Sequence, residues 1–356
     1  MDHIASLNEQ IASIQPPDEA MMKAARKRQD TLTKPQGSLG RLEELSIALA
    51  GITGQLTPCL ARKAVIVMAG DHGVAAEGVS AFPQVVTVQM VANFLAGGAA
   101  ISVLARHAGA RVSVVDIGVA ADLEPAPGLL VRKIGYGTGN IAVGPAMTRA
   151  QAAESILAGI ETVREEFERG LDIVATGDMG IANTTPSSAI VAAITGRDAA
   201  DVTGRGTGID EAGLLNKIEV IRRALEVNAP LYNDPLDVLG AVGGFEIGGL
   251  AGVVLGAAIH RIPVVVDGFI STAGALIATE LCPLAKAYVI AAHRSVEVGH
   301  QAALDRMEKR PLLDLGMRLG EGTGAVLAMN IIEASVKVLG EMATFDSAGV
   351  SSREDD

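Results

Sequence analysis

Short runs rich in β-branched residues recur along the chain, and each is closed by a glycine or a polar residue. The runs are continuously apolar instead of alternating, which is typical of strands buried on both faces of a sheet. Helical stretches lie between them, with apolar residues at intervals of three and four, as in 86–107 and 149–169. The predicted strands are AVIVMA (64–69), VSVVDI (112–117), LDIVAT (171–176), IPVVVD (262–267) and KAYVIAA (286–292).

Strands and helices in alternation predict an α/β protein. We expect a Rossmann-like, three-layer fold in which a parallel sheet carries helices on both faces, because parallel strands need crossover connections. In such sheets ligands bind at the carboxyl ends of the strands. The polar residues that close the predicted strands should therefore gather along one edge, and these are Asp71, Asp116, Asp178, Asp267 and Ser295.

The two ends of the chain have a different pattern. Segments 41–50 and 325–343 are helical and lie outside the region of strand-like runs. We therefore predict two domains. Residues 60–310 form a large α/β domain that carries the substrate sites, and residues 1–59 with 311–356 form a small helical domain.

The composition indicates a large core and limits the partners. Of the 356 residues 49% are hydrophobic, which excludes a disordered chain, and the 41 glycines indicate close packing of backbone segments. The core must be mainly aliphatic because there are 6 Phe, 3 Tyr and no Trp. The 29 Lys and Arg against 41 Asp and Glu give a net charge of −12, so we expect neither nucleic acid nor a membrane as a partner.

The cysteines and the N-terminal segment favour a cytoplasmic protein. Cys59 and Cys282 are far apart, so neither a disulfide framework nor a zinc knuckle is predicted. The first residues lack the basic start and apolar stretch of a signal peptide. The uncharged stretch 78–105 contains polar residues and a Gly97-Gly98 break, and it predicts a loop and a buried helix instead of a membrane span.

Common nucleotide motifs are absent from the sequence. The segments GYGTGN (135–140) and GRGTGI (204–209) do not have the GxGxxG spacing, and no Gly-Lys dipeptide exists for a Walker A loop. VVVDGFISTAG (264–274) resembles the phosphate loop of diphosphate-using phosphoribosyltransferases. Gly268 stands where those proteins have a second acid, so half of the Mg²⁺-diphosphate ligands would be missing.

GDHG (70–73) resembles a metal-binding element of metallophosphoesterases, although no HxH motif accompanies it. We therefore predict no metal site, and a tight turn at a strand end is the expected role. A metal-dependent phosphoesterase that uses Asp71 and His72 is an alternative.

Eight segments in order, from residue 32 to about residue 330, resemble the nicotinate-nucleotide–dimethylbenzimidazole phosphoribosyltransferase family. They are LTKPQGSLGRLE (32–43), AGDHGVAAEGVSAFPQVVTVQMVANFLAGGAAISVLA (69–105), TGDMGIANTTPSSAI (176–190), GRGTGID (204–210), DPLDVLGAVGGFEIGGLAG (234–252), VVVDGFISTAGALIA (264–278), HRSVEVGH (293–300) and LDLGMRLGEGTGA (313–325). The resemblance covers most of the chain.

The resemblance implies an enzyme of cobalamin nucleotide-loop assembly. The benzimidazole nitrogen would displace nicotinate from C1′ of nicotinate mononucleotide, giving α-ribazole 5′-phosphate with inversion. No metal and no organic cofactor would be needed, and the family suggests a homodimer. The alternatives are a paralogue that uses another nucleobase or phenolic acceptor, and a non-catalytic nucleotide-binding protein.

The resemblance also implies two catalytic acids. Glu321 matches the general base, and apolar neighbours (Leu315, Met317, Leu319 and Val326) should bury it and raise its pKa. Asp178 matches an acid that faces the ribose and would favour a cationic sugar. Many relatives have Glu in a GEMG sequence there, so the side chain of Asp178 is one methylene shorter.

For the nucleotide phosphate, the resemblance implies Gly180, Gly206, Lys217 and Ser295. In an acidic chain the donors must be local. Backbone N–H groups of residues 204–208, or of a helix that begins near Asp210, could provide them.

For the base, the resemblance implies polar contacts from Ser80 and Gln89 and walls from Phe82 and Met179. Gln84 could replace Gln89, and the spacing does not decide between them. The scarcity of aromatic residues predicts aliphatic and Met walls, and hence tolerance of different benzimidazoles and purines.

The segment HRSVEVGH departs from the usual HRSAEPGH of relatives, because Val298 replaces proline. We expect His300 in this segment to be a structural histidine without a role in the chemistry.

Overall fold

The computed structural model describes residues 2–351, and most of the SSREDD tail, which we expect to be frayed, lies outside these residues. Within them the strands form one six-stranded parallel sheet in the order β3-β2-β1-β4-β5-β6. The strands are β1 (Lys63–Gly70), β2 (Ala110–Gly118), β3 (Leu129–Val131), β4 (Ile173–Met179), β5 (Val264–Val266) and β6 (Val289–Ala291).

Helices connect the strands and cover both faces of the sheet. They are α1 (His3–Ala12), α2 (Glu19–Thr31), α3 (Arg41–Thr53), α4 (Val86–Leu95), α5 (Ala100–Ala108), α6 (Arg149–Glu168), α7 (Thr184–Thr195), α8 (Ala199–Val202), α9 (Glu211–Asn228), α10 (Pro235–Val242), α11 (Phe245–Ile259), α12 (Phe269–Leu281), α13 (Val298–Met307), α14 (Thr323–Glu341) and α15 (Phe345–Ala348). Two 3₁₀ helices, Gly73–Glu77 and Pro283–Tyr288, complete the connections.

The predicted α/β fold is confirmed, and all five predicted strands are present. The sequence pattern missed β3, which has only three residues and pairs along one edge with β2. The predicted end of β4 was wrong, since pairing with β1 continues to Met179. The predicted helix 86–107 is two helices, α4 and α5, divided around Gly97, which has a φ of +77°.

Both faces of the sheet are buried, as the continuously apolar strands predict. Ala64, Ile66 and Met68 of β1 face one core, which includes residues of α6, α11 and α12. Val65 and Val67 face the opposite core, which includes residues of α5 and α14. The period-2 alternation of side chains across a strand thus separates two apolar clusters, with the sheet as the middle layer.

Helices α6 and α11 pack with their backbones in contact, which explains part of the glycine excess. A Cβ atom added to Gly159 would overlap with the carbonyl oxygen of Gly249, and one added to Gly252 would overlap with the carbonyl oxygen of Ile156. These glycines bring the two helices closer together than side chains would allow.

The terminal helices do not all pack together. A small cluster of Ala25, Ile47, Ala50 and Leu339 joins α2, α3 and the end of α14. By contrast, α1 packs against α6 and α11, and the start of α14 packs against β4 and β5. The division into residues 60–310 and residues 1–59 with 311–356 stays a prediction.

Two helical stretches, Val86–Ala108 and Thr323–Glu341, are long and apolar enough to cross a membrane by length and composition. The first is the interrupted pair α4 and α5, and both stretches contribute buried residues to one apolar core of the sheet. A buried helix in a protein core passes the same test, so length and composition alone are weak evidence for a membrane span.

Replacing Gly252 by Ala should lower the free energy of unfolding by about 1–3 kcal/mol, because the methyl group has no space between α6 and α11. Chemical denaturation measures the change. Gly340→Ala is the matched control, since Gly340 also lies in a helix but the nearest atom to an added Cβ is 3.7 Å away. The control should gain up to about 1 kcal/mol in helix propensity. Equal effects of the two substitutions would contradict the packing account.

Candidate active site

A cavity of about 420 Å³ opens at the carboxyl ends of the strands, near the point where the strand order reverses between β1 and β4. Open α/β sheets bind ligands at such a switch point. The wall comes from six segments: 82–90, 178–184, 206–207, 268–270, 293–297 and 318–321. Seven of the ten predicted site residues line the cavity: Phe82, Asp178, Met179, Gly180, Gly206, Ser295 and Glu321.

Glu321 lies on a strained loop that crosses the end of β4. Its φ is +62°, and those of Gly320 and Gly322 are +84° and +94°. A left-handed backbone at a non-glycine residue costs about 1–3 kcal/mol and persists only when the surroundings enforce it. Here Gly177 of β4 allows the approach, because an added Cβ would overlap with the carbonyl oxygen of Glu321.

Asp267, which follows β5, holds this loop in place. Its two carboxylate oxygens accept hydrogen bonds from the backbone N–H groups of Gly322 (3.2 Å) and Ala325 (2.9 Å). The carboxylate therefore caps the N-terminus of α14 from a neighbouring strand, and the strand end and the base-bearing loop become one unit.

The Glu321 carboxylate is buried beside the N-terminus of α5. Its Oε2 accepts a hydrogen bond of 3.1 Å from the backbone N–H of Ile101. Burial raises the pKa of Glu321; the hydrogen bond from Ile101 opposes the rise and the charge of Asp267 adds to it. The predicted apolar cover was partly wrong, because Leu315 and Leu319 are 61% and 58% exposed.

Asp178 is the second buried acid of the cavity. Its Oδ2 accepts a hydrogen bond of 3.1 Å from Asn183, whereas Oδ1 has no partner among residues 2–351. Burial raises the pKa of Asp178 well above its ordinary value, and the nearby charges of Asp267, Glu246 and Glu321 act in the same direction. A positive charge in the cavity would favour the ionised form of this acid.

Lys217 is fully buried beneath the glycine-rich loop and does not line the cavity itself. Its ammonium donates hydrogen bonds to Oγ1 of Thr184 (2.7 Å) and to the carbonyl oxygen of Gly204 (3.3 Å). An added Cβ on Gly206 would lie 3.2 Å from Nζ. Burial lowers the pKa of Lys217 to about 8, and the charge of Glu297 opposes the shift.

Three helices whose N-cap residues line the cavity have no side-chain cap. They are α7, α12 and α13, with Asn183, Gly268 and Glu297 at their N-cap positions. Free N–H groups and the positive end of the helix dipole favour an anion there. The predicted use of the α9 N-terminus was wrong, because Asp210 caps it and it does not line the cavity.

His300 is a structural histidine, as expected. Its Nδ1 accepts a hydrogen bond of 2.9 Å from the backbone N–H of Ser295, and its Nε2 lies 2.9 Å from Oγ1 of Thr272. Burial lowers the pKa of His300 to about 3, so the imidazole is neutral and orients Ser295. Helix α13 begins at Val298.

The end of the cavity predicted to bind the base is apolar, with Phe82, Val86 and Met90 in its wall. The polar contacts predicted there lie elsewhere in this structure. Oγ of Ser80 is 3.4 Å from Oγ1 of Thr207, whereas Gln84 and Gln89 are exposed and outside the wall. The choice between the two glutamines is therefore still open.

Sequence reasoning missed several residues of the wall. Arg318 lies at the cavity and donates a hydrogen bond of 2.9 Å to the carbonyl oxygen of Gly206. His293 lies 3.7 Å from Asp267, and neither ring nitrogen has a hydrogen-bond partner among the described residues. Both residues stand in the motif segments 293–300 and 313–325, but only the chain's path shows that they face the cavity.

The groups that a metal-dependent phosphoesterase would use are engaged elsewhere. The Asp71 carboxylate accepts hydrogen bonds from Oγ1 of Thr87 (2.7 Å) and from the backbone N–H of Ala120 (2.9 Å). His72 is buried and lies 2.9 Å from Glu246. Neither residue lines the cavity.

Fold and site together define a doubly wound α/β enzyme with a nucleotide-sized cavity at its switch point. The phosphoribosyltransferase family model matches residues 14–350. The chain belongs to the nicotinate-nucleotide–dimethylbenzimidazole phosphoribosyltransferase family, as comparison with named relatives shows.

One protein of this name, from Roseiflexus sp. (strain RS-1), is 63% identical over 347 residues, which is 98% of each chain. Another, from Chloroflexus aggregans (strain MD-66 / DSM 9485), is 63% identical over 349 residues, 98% of this chain and 99% of its own. The crystal structure of the enzyme of this name from Thermus thermophilus has a TM-score of 0.90 and 47% identity, and the match covers 94% of this chain and 100% of that one.

The neutral state of His300 makes stability depend on pH. The unfolded chain binds a proton at His300 near the ordinary pKa of 6.5, whereas the folded protein does so only near 3. This contribution to stability is complete above pH 6.5 and is lost as the pH falls. Between pH 6.5 and 4.5 the free energy of unfolding should fall more steeply for the wild type than for His300→Gln, by up to about 1.4 kcal/mol per pH unit.

Denaturant titrations at several pH values measure the two slopes. His107→Gln is the control, because His107 is exposed in the last turn of α5, and its slope should equal that of the wild type. Parallel curves for the wild type and His300→Gln would refute the buried neutral imidazole.

Proposed function

We propose that this protein transfers the phosphoribosyl group of nicotinate mononucleotide to 5,6-dimethylbenzimidazole, giving α-ribazole 5′-phosphate and nicotinate. One observation carries the proposal. The buried Glu321 carboxylate lies in the same cavity as a cradle formed by the loop at Gly206 and Thr207 and by uncapped helix N-termini, and the buried Lys217 lies behind Gly206. The cavity therefore offers hydrogen-bond donors to a nucleotide phosphate and an apolar wall to a flat acceptor ring.

The nucleotide would bind with its phosphate at Gly206, Ser295 and the α7 and α12 N-termini, with Lys217 beneath. Its ribose would lie over Asp178, and the acceptor ring would contact Phe82 and the other apolar residues. A dianionic phosphate is stabilised by these donors despite the acidic surface, because backbone N–H groups and one lysine act at close range.

In the transfer, the acceptor nitrogen uses its lone pair to form a bond to C1′. The bond between C1′ and the pyridine nitrogen breaks, and its electron pair leaves with nicotinate. Glu321 takes the proton from the other ring nitrogen of the acceptor, so the product nucleotide is neutral at its base. Attack from the face opposite nicotinate gives the α configuration.

Asp178 acts on the sugar. As the bond to nicotinate lengthens, positive charge develops at C1′ and favours the ionised form of this acid, which then stabilises the transition state more than the ground state. No metal or organic cofactor takes part in the proposed reaction.

A second candidate is a related transferase with another acceptor base. The apolar wall of Val86, Met90 and Met179 favours it. Such a surface selects an acceptor by the size and flatness of its ring and discriminates little between polar substituents. A non-catalytic nucleotide-binding protein is less well supported, since it would have no use for the strained backbone of Glu321.

The proposal includes a cytoplasmic homodimer without membrane or nucleic-acid partners. The acidic composition supports the last two points. Two exposed apolar residues of the cavity wall, Phe82 and Leu319, support a partner subunit that would cover them.

Glu321→Gln tests the assigned base. With nicotinate mononucleotide and 5,6-dimethylbenzimidazole, and no added metal, the wild type should release nicotinate and an α-configured nucleotide. The variant should fold normally and lose about 100-fold or more in kcat, because general base catalysis contributes about 10²–10⁴-fold. Nicotinate release and the anomeric NMR signal measure both. The exposed Glu341→Gln is the control. Near-normal kcat in the variant would refute the assignment, and no nicotinate from the wild type would refute the function.

The lowered pKa of Lys217 predicts that nucleotide binding depends on pH. Its pKa of about 8 means that the ammonium is charged below pH 8 and loses charge above it. The KM for nicotinate mononucleotide should therefore rise above pH 8 in the wild type. Lys217→Met should raise this KM about 10- to 100-fold and make it independent of pH in this range, because a charged hydrogen bond is lost.

Steady-state kinetics from pH 6.5 to 9.5 provide the comparison. The KM for the benzimidazole should change little, and Lys217→Arg should keep the low nucleotide KM to higher pH. A nucleotide KM that rises equally above pH 8 in Lys217→Met would contradict this role.

A further inference from the structure

Glu297 is a buried carboxylate without a partner in the cavity wall. It is 8% exposed, and its Oε2 has no hydrogen-bond partner among residues 2–351. Within the described part of the chain its carboxylate forms no direct ion pair, although its charge acts on the buried Lys217. An unpaired buried charge is costly, and native proteins retain one mainly where a ligand supplies the missing donors.

The Glu297 side chain lies between the cavity wall and Gly204, with Oε2 on the side of Gly204. Glu297 occupies the N-cap position of α13, where a side-chain oxygen usually accepts an N–H of the first turn, yet it makes no such bond. On the other side, Gly204 leaves room for it, because an added Cβ would overlap with Oε2. The helix dipole still favours its negative charge.

Lys217 approaches the same glycine. Its ammonium lies 3.3 Å from the carbonyl oxygen of Gly204, but no ion pair joins it to Glu297. A ligand in the cavity must therefore present a donor toward Glu297, while its acceptor groups meet the free N–H groups of the uncapped helices. A sugar phosphate does both, since its phosphate oxygens accept and its hydroxyl groups donate.

We propose that Glu297 accepts hydrogen bonds from the ribose hydroxyl groups of the donor nucleotide and so selects ribonucleotides over deoxyribonucleotides. The inference rests on the proposed function and goes beyond it. Phosphate oxygens cannot occupy the contact, because an ionised carboxylate and a phosphate both accept and repel each other. The acceptor N–H is assigned to Glu321, so the hydroxyl groups are the donors available.

A binding experiment without acceptor base tests the selection. Calorimetry compares nicotinate mononucleotide with its 2′-deoxy and 3′-deoxy forms on the wild type, Glu297→Gln and Glu297→Ala. The wild type should bind the ribonucleotide about 10- to 100-fold more tightly than at least one deoxy form. In Glu297→Ala this preference should shrink to about threefold or less, because only ribonucleotide binding weakens, and Glu297→Gln should be intermediate.

Asp305→Asn is the matched control, since Asp305 is an exposed acid on the same helix and its variant should keep the wild-type preference. Equal weakening of all three ligands by the Glu297 substitutions would overturn the inference in favour of a structural role. Tighter binding of all three would overturn it in favour of simple repulsion of phosphate. Nicotinate release by the wild type is measured separately, so failure of the proposed reaction is distinguished from failure of hydroxyl selection.

Discussion

The close contact between the loop at Gly320–Gly322 and Gly177 of β4 is the constraint on which the site depends. It is possible only where a strand end has no side chain, and it forces Glu321 into a left-handed backbone. Asp267 then fastens the loop from the next strand. Two strands of the sheet thus fix the position of the loop that bears Glu321, the residue that we propose as the base.

The second constraint is electrostatic. The chain has a net charge of −12, and the cavity contains the acids Asp178, Glu297 and Glu321. A phosphate can bind in such a place only if donors are close and local. In our proposal the uncapped N-termini of α7 and α12 supply them, with Lys217 buried behind Gly206, and Asp178 and Glu321 act on the sugar and the acceptor.

Much of the fold was predictable because the strands are buried on both faces and therefore read as unbroken apolar runs. The three-residue β3 has too little pattern to be seen, and the end of β4 depends on its pairing with β1, which is a long-range property. For the site, two of the five predicted strand-end residues, Asp178 and Ser295, line the cavity, whereas Asp71, Asp116 and Asp267 do not. Ser80 and Gln89 do not line it, and Arg318 and His293 do, because the path of a loop is set by packing and not by spacing. The absence of side-chain caps could not be predicted either, because a cap depends on the direction of the side chain. Asn183, for example, donates a hydrogen bond to Asp178 instead of capping α7.

The central claim is that the Glu321 carboxylate faces the acceptor nitrogen while the phosphate lies in the cradle around Gly206. A crystal structure of Glu321→Gln with nicotinate mononucleotide and 5,6-dimethylbenzimidazole tests it most directly, because a slow variant keeps both substrates in place. We expect the substituted side chain at position 321 within hydrogen-bonding distance of one acceptor nitrogen, the other nitrogen facing C1′, and the phosphate at Gly206 and Ser295. An acceptor bound away from residue 321, or a phosphate bound outside the cradle, would contradict the account.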